Sequence, residues 1–196
     1  AFIASAPNVI GTVNVLKGSF GTRNPESVVE YRGNVYWLDV NNGRVIQYSA
    51  NGLFPISNYK MTRFWKNWCE QFLSMTAAEI EVLGGRPFVF TEVDPFHDEL
   101  LFSLPELMDI PPKGYIGDYR VEPLTPDQQA YIIYPFDILD YQGKTIVYDL
   151  VSNSWRGSYS FYAEGFAALQ NQLHSFKDGQ QWIHNQSDNQ CNFYDV

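Results

Sequence analysis

The residues best suited to chemistry lie together in one short stretch of the chain. Glu92, Asp94, Asp98 and Glu99 supply carboxylates there, and His97 supplies an imidazole. Paired carboxylates beside a histidine can transfer protons, and the same atoms can hold a divalent cation such as Ca²⁺. The candidate metal ligands are therefore Asp94, His97, Asp98 and Glu99, although nothing in their spacing requires a metal.

A solvated turn is the competing interpretation of this cluster. The charged stretch separates two apolar runs, 88–93 and 100–104, and it contains Asp94-Pro95. Asp and Pro collect in turns for conformational reasons, so charge at this place does not by itself indicate catalysis. We therefore expect a hairpin that exposes these side chains to water, and we predict no cofactor.

Two further sets of residues give weaker signals for a metal or an enzyme. His174 and His184 fall on neighbouring predicted strands and could face each other, but a metal site would need a third ligand. Cys69 and Cys191 lie far apart without a CxxC spacing, which predicts buried thiols and neither a zinc site nor a disulfide framework. Nucleophile-elbow, phosphate-loop and dinucleotide motifs are absent from the sequence, so we predict a protein that is not an enzyme.

Aromatic residues near the end of the chain suggest a different class of function, carbohydrate binding. Trp155, Tyr159, Tyr162 and Trp182 are candidates because exposed aromatic rings can stack on sugar faces. The same residues are also expected in the interior and at interfaces of a β-protein. Glycoside hydrolysis is a third possibility, but it needs two carboxylates ~5 to 10 Å apart in a cleft, which the sequence does not place.

Composition limits the classes that remain. The 196 residues suit a single domain, and 16% of them are aromatic, as in sheets with half-buried faces. A net charge of −9 without a basic cluster argues against nucleic-acid binding. No apolar run approaches the roughly 20 residues that cross a bilayer, so no membrane insertion is predicted.

The elements that would position these residues are mostly strands. Residues 27–57 read as three strands in series, separated by Arg32-Gly33-Asn34 and by Asn41-Asn42-Gly43, with Asn51-Gly52 closing the third. Asn-Gly between β-rich runs is a strong hairpin signal, because both residues accept positive φ. An antiparallel meander is therefore predicted here.

A change of period after residue 57 predicts the main helix. Apolar residues at positions 61, 64, 65, 68, 72 and 75 share one helical face, and Ser57 or Asn58 is the predicted cap. A second short helix is predicted from Thr76 until Gly84-Gly85 stops it. Residues 105–130, rich in Pro, form a predicted long loop excursion, a place where function often lies.

Further strands are predicted within 131–134, 144–150, 155–161, 165–169, 173–177, 180–184 and 191–194. Two segments show a weak internal sequence similarity, Tyr36-Trp37-Leu38-Asp39 and Val147-Tyr148-Asp149-Leu150. Each is followed by a polar turn and a new strand. Short strands at this spacing predict propeller blades or a sandwich. We predict a mainly β fold of antiparallel, β-propeller-like blades, in a complete or an incomplete ring, with one amphipathic helix.

Several stretches together resemble a known group of viral proteins. They are N-P-E-S-V-V-E-Y-R-G-N-V-Y-W-L-D, N-G-R-V-I-Q-Y-S-A-N-G-L-F-P-I-S, D-P-F-H-D-E-L-L-F-S and L-H-S-F-K-D-G-Q-Q-W-I-H-N. These stretches resemble tail stabilisation or tail-hub proteins of short-tailed bacteriophages, especially the tail muzzle proteins of crAss-like phages. The resemblance covers roughly residues 20–103 and 131–195.

The resemblance implies a structural virion protein that helps to close the DNA exit channel. Its expected partners are other phage tail proteins and copies of itself, and its expected location is the virion tail after assembly in the bacterial host cytoplasm. Proteins of that group are usually longer, so the chain is expected to be a single domain of 1–196 or a fragment of a larger tail protein. No catalytic residue is implied.

Overall fold

A computed structural model of the chain describes residues 18–77, 88–105 and 143–186, together with Ile80, Leu107 and Tyr194. It also describes the backbone of two short strands, β1 (Phe2–Ile3) and β2 (Thr12–Val13), which pair with each other in antiparallel fashion.

The first large sheet is a four-stranded antiparallel meander. Its strands are β3 (Val29–Tyr31), β4 (Asn34–Asp39), β5 (Arg44–Ser49) and β6 (Gly52–Pro55), paired in chain order. Gly43 lies in the turn between β4 and β5 with φ +61°, and a Cβ there would lie 2.7 Å from Lys66 Cα. Glycine therefore gives this turn its left-handed backbone and its close approach to the helix.

The second sheet is also a four-stranded antiparallel meander. It consists of β7 (Phe90–Asp94), β8 (Glu99–Leu104), β9 (Lys144–Asp149) and β10 (Ser154–Tyr159). Every residue of β8 is buried, and so is every residue of β9 except Lys144. Burial on both faces explains why 100–102 is a continuous apolar run and not an alternating one.

The third sheet has three antiparallel strands, β11 (Gly165–Leu169), β12 (Gln172–Lys177) and β13 (Gln180–Ile183). Hydrogen bonds from buried side chains join it to the second sheet through the segment between β10 and β11. Ser103 Oγ donates to Ala163 O at 2.8 Å and accepts from Ala163 N at 2.8 Å, while Thr145 Oγ1 donates to Phe161 O at 2.8 Å. These bonds satisfy backbone groups where the chain crosses between sheets.

The helix α1 (Thr62–Ser74) buries one apolar stripe, formed by Trp65, Trp68, Cys69 and Phe72. The prediction that Ser57 or Asn58 caps this helix is wrong, because both residues belong to a preceding 3-10 turn, Ile56–Asn58. Ser57 Oγ instead accepts a hydrogen bond from Val45 N at 3.1 Å.

The described elements form layers around the second sheet. One face of that sheet packs against α1 and the first sheet in a large core that includes Trp65, Phe102 and Tyr148. The other face packs against the third sheet, where Leu101, Val147 and Leu173 form a smaller core. The second sheet is thus covered on both sides.

The prediction of a mainly β fold with an amphipathic helix is confirmed. Large antiparallel sheets of three and four strands are present, and the described residues do not include a closed ring. Sequence reasoning missed β6, whose short run Gly52–Pro55 ends in proline. The described ranges contain no helix with the length and hydrophobicity of a membrane span.

Some predictions fall outside the described residues. These are most of the short helix after Thr76, nearly all of the 105–130 excursion, the 131–134 strand, and Cys191 with most of the 191–194 strand. The start of the short helix is described, since Ile80 N donates to Thr76 O at 3.1 Å.

Candidate functional site

Three carboxylates lie side by side at one end of the second sheet. The register pairs Asp94 with Glu99, and Glu99 with Asp149. Directly paired residues project to the same face of a sheet, and these three are 5%, 2% and 3% exposed. Like charges at such positions are destabilising unless hydrogen bonds and counter-charges offset them, so the surroundings of this carboxylate row decide what it can do.

Glu99 and Asp149 share one cation, Arg156. Arg156 Nε donates to Asp149 Oδ2 at 2.7 Å, and Arg156 Nη1 lies 3.2 Å from Glu99 Oε1. Tyr159 adds a hydrogen bond from its hydroxyl to Glu99 Oε2 at 2.8 Å. Arg156 and Tyr159 therefore hold the carboxyl groups of Glu99 and Asp149 in one hydrogen-bonded network, in which the Arg156 cation lies against both.

Asp149 also closes the turn that follows β9. Its Oδ1 accepts from Val151 N at 2.8 Å and from Ser152 N at 3.0 Å. The hydrogen bond from the Ser152 backbone, followed by the contact with Arg156, holds the pKa of Asp149 well below its usual range despite the opposing effect of burial. A carboxylate in this state is a poor general acid near neutral pH.

Tyr159 is fixed in its neutral form. Burial raises its pKa far above the usual range, and the hydrogen bond to Glu99 raises it further. The phenol therefore acts as a hydrogen-bond donor to the carboxylate and stays protonated at physiological pH.

Asp94, the third carboxylate, is surrounded by the hairpin turn and by the third sheet. Its Oδ1 accepts from Phe96 N at 2.9 Å, and its Oδ2 lies 2.8 Å from His97 Nδ1. Asn185 Nδ2, at the end of β13, donates to Asp94 Oδ2 at 3.0 Å. Asp94 thus ties the β7–β8 hairpin to the segment that follows β13.

The candidate metal ligands do not converge on one point. Asp98 Oδ1 accepts from the Tyr31 hydroxyl at 2.7 Å and lies 3.0 Å from Arg32 Nη2, on the side of the first sheet. Asp94 and Glu99 have the separate partners given above. In the part of the chain that the structure describes, no group of three or more His, Cys, Asp or Glu residues could hold a metal ion.

The solvated-turn interpretation is wrong for two members of the cluster. Asp94 and Glu99 are the buried last and first residues of β7 and β8, whereas only the residues between them form the turn. The prediction of exposure failed because burial here depends on strand pairing and on Arg156, which is distant in the chain. Neither can be read from the local composition.

An open cleft lies beside Asp94, where the hairpin tips meet. Phe96, Gln170, Asn171, Gln172, His184 and Asn185 line its volume of about 280 Å³, and we call it the hairpin-tip cleft. Phe96 comes from the β7–β8 turn, and the amide residues come from the β11–β12 turn and the end of β13. No sequence motif predicts this cleft, because its residues come together only through the packing of two sheets.

The two histidines of the third sheet do not form a metal pair. His174 is paired with Ile183 in the register, and its Nδ1 lies 2.9 Å from Gln181 Nε2. His184 Nε2 lies 2.7 Å from Ser175 Oγ. Burial lowers the pKa of His184, with Asp94 opposing the shift and His174 adding to it, so the His184 imidazole is neutral at pH 7.

The four candidate stacking residues are separated by the structure. Trp155 lies in the main core beside Trp65, and its Nε1 donates to Ile56 O at 3.2 Å. Tyr159 donates its hydroxyl hydrogen to Glu99 of the carboxylate row. Tyr162 lies under Lys177, whose Nζ is 5.7 Å from the ring centre, and Trp182 contacts Tyr194 with ring centres 5.3 Å apart. They do not form one common platform.

Cys69 is a buried free thiol, as predicted. Burial, with a smaller contribution from Asp39, raises its pKa to about 12. The thiol is therefore unreactive at neutral pH in the folded protein.

Comparisons with known proteins give no family for this chain. No protein-family model matches it, and no curated protein or solved structure shows significant similarity to it.

Proposed function

We propose that the chain is a structural module of a phage tail, built of propeller-like blades, which works through protein contacts and not through catalysis. The observation that carries this proposal is the position of the first strands of the large sheets. β3, β7 and β11 are each an edge strand of their own sheet, and β7 contacts both β3 and β11. Radially arranged blades bring one edge of every sheet to a common axis in this way.

The outer edges of the same sheets suit assembly with other proteins. Phe54 on β6 is 59% exposed, and Ile183 on β13 is 45% exposed. Exposed apolar side chains on outermost strands favour contacts with neighbouring subunits or copies. In this proposal those edges meet other tail proteins, or further blades of the assembly.

The carboxylate row supports a role without catalysis. Glu99 and Asp149 are both bound to Arg156, and the depressed pKa of Asp149 keeps that carboxylate ionised. A glycoside hydrolase needs one carboxyl group that is protonated at working pH, which this arrangement does not favour. The row instead stabilises the contact between hairpins.

The acidic composition fits a wall along a DNA channel. A net charge of −9 repels phosphates, so exiting DNA would not adhere to a surface of this kind. The purified chain should therefore show no retention of duplex DNA at physiological salt. Retention that falls as salt is raised would contradict this electrostatic part of the proposal.

The tail location is tested on the virions of the phage whose genome encodes the chain. Gold-labelled antibody raised against the chain should mark the distal tail, and peptides from 18–77 and 143–186 should be found in digests of purified particles. Pre-immune antibody and particles that lack tails are the controls. A chain found only in the soluble lysate, and never in particles, would refute the proposal.

A further inference from the structure

We propose that the hairpin-tip cleft binds a neutral saccharide, with the Phe96 ring against one face of a sugar and the amides of Asn171 and Asn185 bonding its hydroxyl groups. This inference is independent of the proposed tail function. It also moves the carbohydrate hypothesis away from Trp155, Tyr159, Tyr162 and Trp182, which the structure keeps apart.

The lining of the cleft selects the class of ligand. Among the described residues, the lining combines one aromatic ring, four amide side chains and one imidazole, and includes no Lys, Arg, Asp or Glu. Each amide offers both a donor and an acceptor, which matches neighbouring sugar hydroxyls. An apolar ligand would leave the amides without partners, and an anionic ligand would find no cation among these residues.

Phe96 is held in position before a ligand arrives. The residue is 66% exposed, while its backbone N–H is bound to the buried Asp94 carboxylate at 2.9 Å. The ring also meets His97 in a T-shaped contact with ring centres 4.8 Å apart. The electron-rich face of an aromatic ring attracts the C–H groups on a sugar face, and the exposed Phe96 ring can offer such a face.

Three of the four amide residues have an unusual backbone conformation. Gln170, Asn171 and Asn185 have φ values of 50°, 63° and 62°, in the left-handed region. Asn185 uses one amide hydrogen to reach Asp94 Oδ2 at 3.0 Å, and the amide group carries a second hydrogen and an acceptor oxygen. The Asn185 side chain is thus held by the same carboxylate that accepts the Phe96 backbone N–H.

The size and protonation of the cleft agree with a small neutral ligand. Its volume of about 280 Å³ lies just below the roughly 300–1,000 Å³ of pockets for drug-sized molecules. Burial lowers the pKa of His184, which favours an uncharged imidazole at pH 7, and its Nε2 already lies 2.7 Å from Ser175 Oγ.

The test begins with an array of neutral and acidic oligosaccharides probed with the full chain. Neutral saccharides should be retained, and titration with the best of them gives a dissociation constant. Phe96→Ala should weaken that binding about tenfold, which corresponds to about 1.4 kcal/mol. Phe96→Tyr, which keeps the ring, should bind as the original chain does.

Two further variants keep the result specific to the cleft. Asn171→Gly preserves the left-handed backbone and removes one amide, so it should weaken binding while the melting temperature stays close to that of the original chain. Phe54→Ala removes a ring that is 59% exposed on another sheet and should leave binding unchanged. The proposal is overturned if only acidic saccharides or peptides bind, if no saccharide binds, or if Phe54→Ala weakens binding as much as Phe96→Ala.

Discussion

Arg156 and Asp149 form a two-point contact across neighbouring strands, with Arg156 Nε 2.7 Å and Nη2 2.5 Å from the same oxygen, Oδ2. The carboxylate is 5% exposed, whereas the Arg156 side chain is 57% exposed. The Arg156 side chain also contacts the second buried carboxyl group, since its Nη1 lies 3.2 Å from Glu99 Oε1. One largely exposed cation thus serves two buried carboxyl groups. This geometry explains how a row of like charges can exist between two packed sheets.

Replacement of Arg156 tests how much that neutralisation matters. Arg156→Gln should lower the melting temperature by several degrees, because it leaves two buried carboxylates without their shared cation. Arg32→Gln is the matched control, since it breaks an ion pair with Asp98 whose side chains are 67% and 27% exposed. Exposed pairs contribute only about 0 to 1 kcal/mol, so this control should have little effect. Equal melting temperatures for the two variants would contradict the account.

Asp149 should make the stability of the folded chain depend on pH in the acid range. Its pKa is lower in the folded chain than in the unfolded chain, so the stability that it contributes is complete above about pH 5 and is lost as the pH falls below about 4. Asp149→Asn should therefore be less stable than the original chain at neutral pH, and the difference should narrow in acid. Urea unfolding at several pH values measures it, and a constant difference would count against the depressed pKa.

Trp65 tests the packing of the main core. It is 0% exposed, and its ring centre lies 5.3 Å from that of Phe102 and 5.5 Å from that of Trp155. Trp65→Ala should cost about 3 to 5 kcal/mol.

The indole nitrogens of the two tryptophans provide an internal comparison. Trp65 Nε1 has no hydrogen-bond partner among the described residues, whereas Trp155 Nε1 donates to Ile56 O. Trp65→Phe therefore loses only packing, while Trp155→Phe also leaves a carbonyl with one bond fewer. Chemical denaturation should show that Trp65→Phe keeps most of the stability that Trp65→Ala loses. An equal loss of stability in Trp65→Phe and Trp65→Ala would contradict this expectation.

Gly143 marks a close approach between β8 and the start of β9. A Cβ at this position would lie 2.0 Å from Leu104 O and 2.6 Å from Tyr162 Cδ2, and backbone cannot yield as a flexible side chain can. Gly143→Ala should cost about 1 to 3 kcal/mol or more. Gly21→Ala is the control, because nothing lies within 4 Å of a Cβ there. Thermal unfolding that does not separate the two variants would show that the approach is looser than described.

Most of the fold that could be predicted came from turn residues and from the spacing of apolar residues. The Asn42-Gly43 turn, the helix stripe and the hairpin between β7 and β8 follow from local patterns that work over a few residues. The short strand β6 was missed because four residues ending in proline carry little strand signal, and its pairing with β5 supplies what the sequence lacks.

The site was less predictable than the fold, for a physical reason. Charged residues are seldom fully buried, so Glu99 and Asp94 read as surface residues. Their burial depends on Arg156 and Asn185, which lie 57 and 91 positions away in the chain. The one available signal was the sequence similarity between the segments that end near Asp39 and Asp149. Both carboxylates accept backbone N–H groups of the turns that follow them.

The central claim is a propeller-like structural module in a phage tail, and a cryo-EM map of the intact tail tests it most directly. The account predicts density for the chain in which β3, β7 and β11 lie nearest the channel axis, with β6 and β13 turned toward neighbouring subunits. A tail map without this chain, or one in which β6 and β13 line the axis, would contradict it.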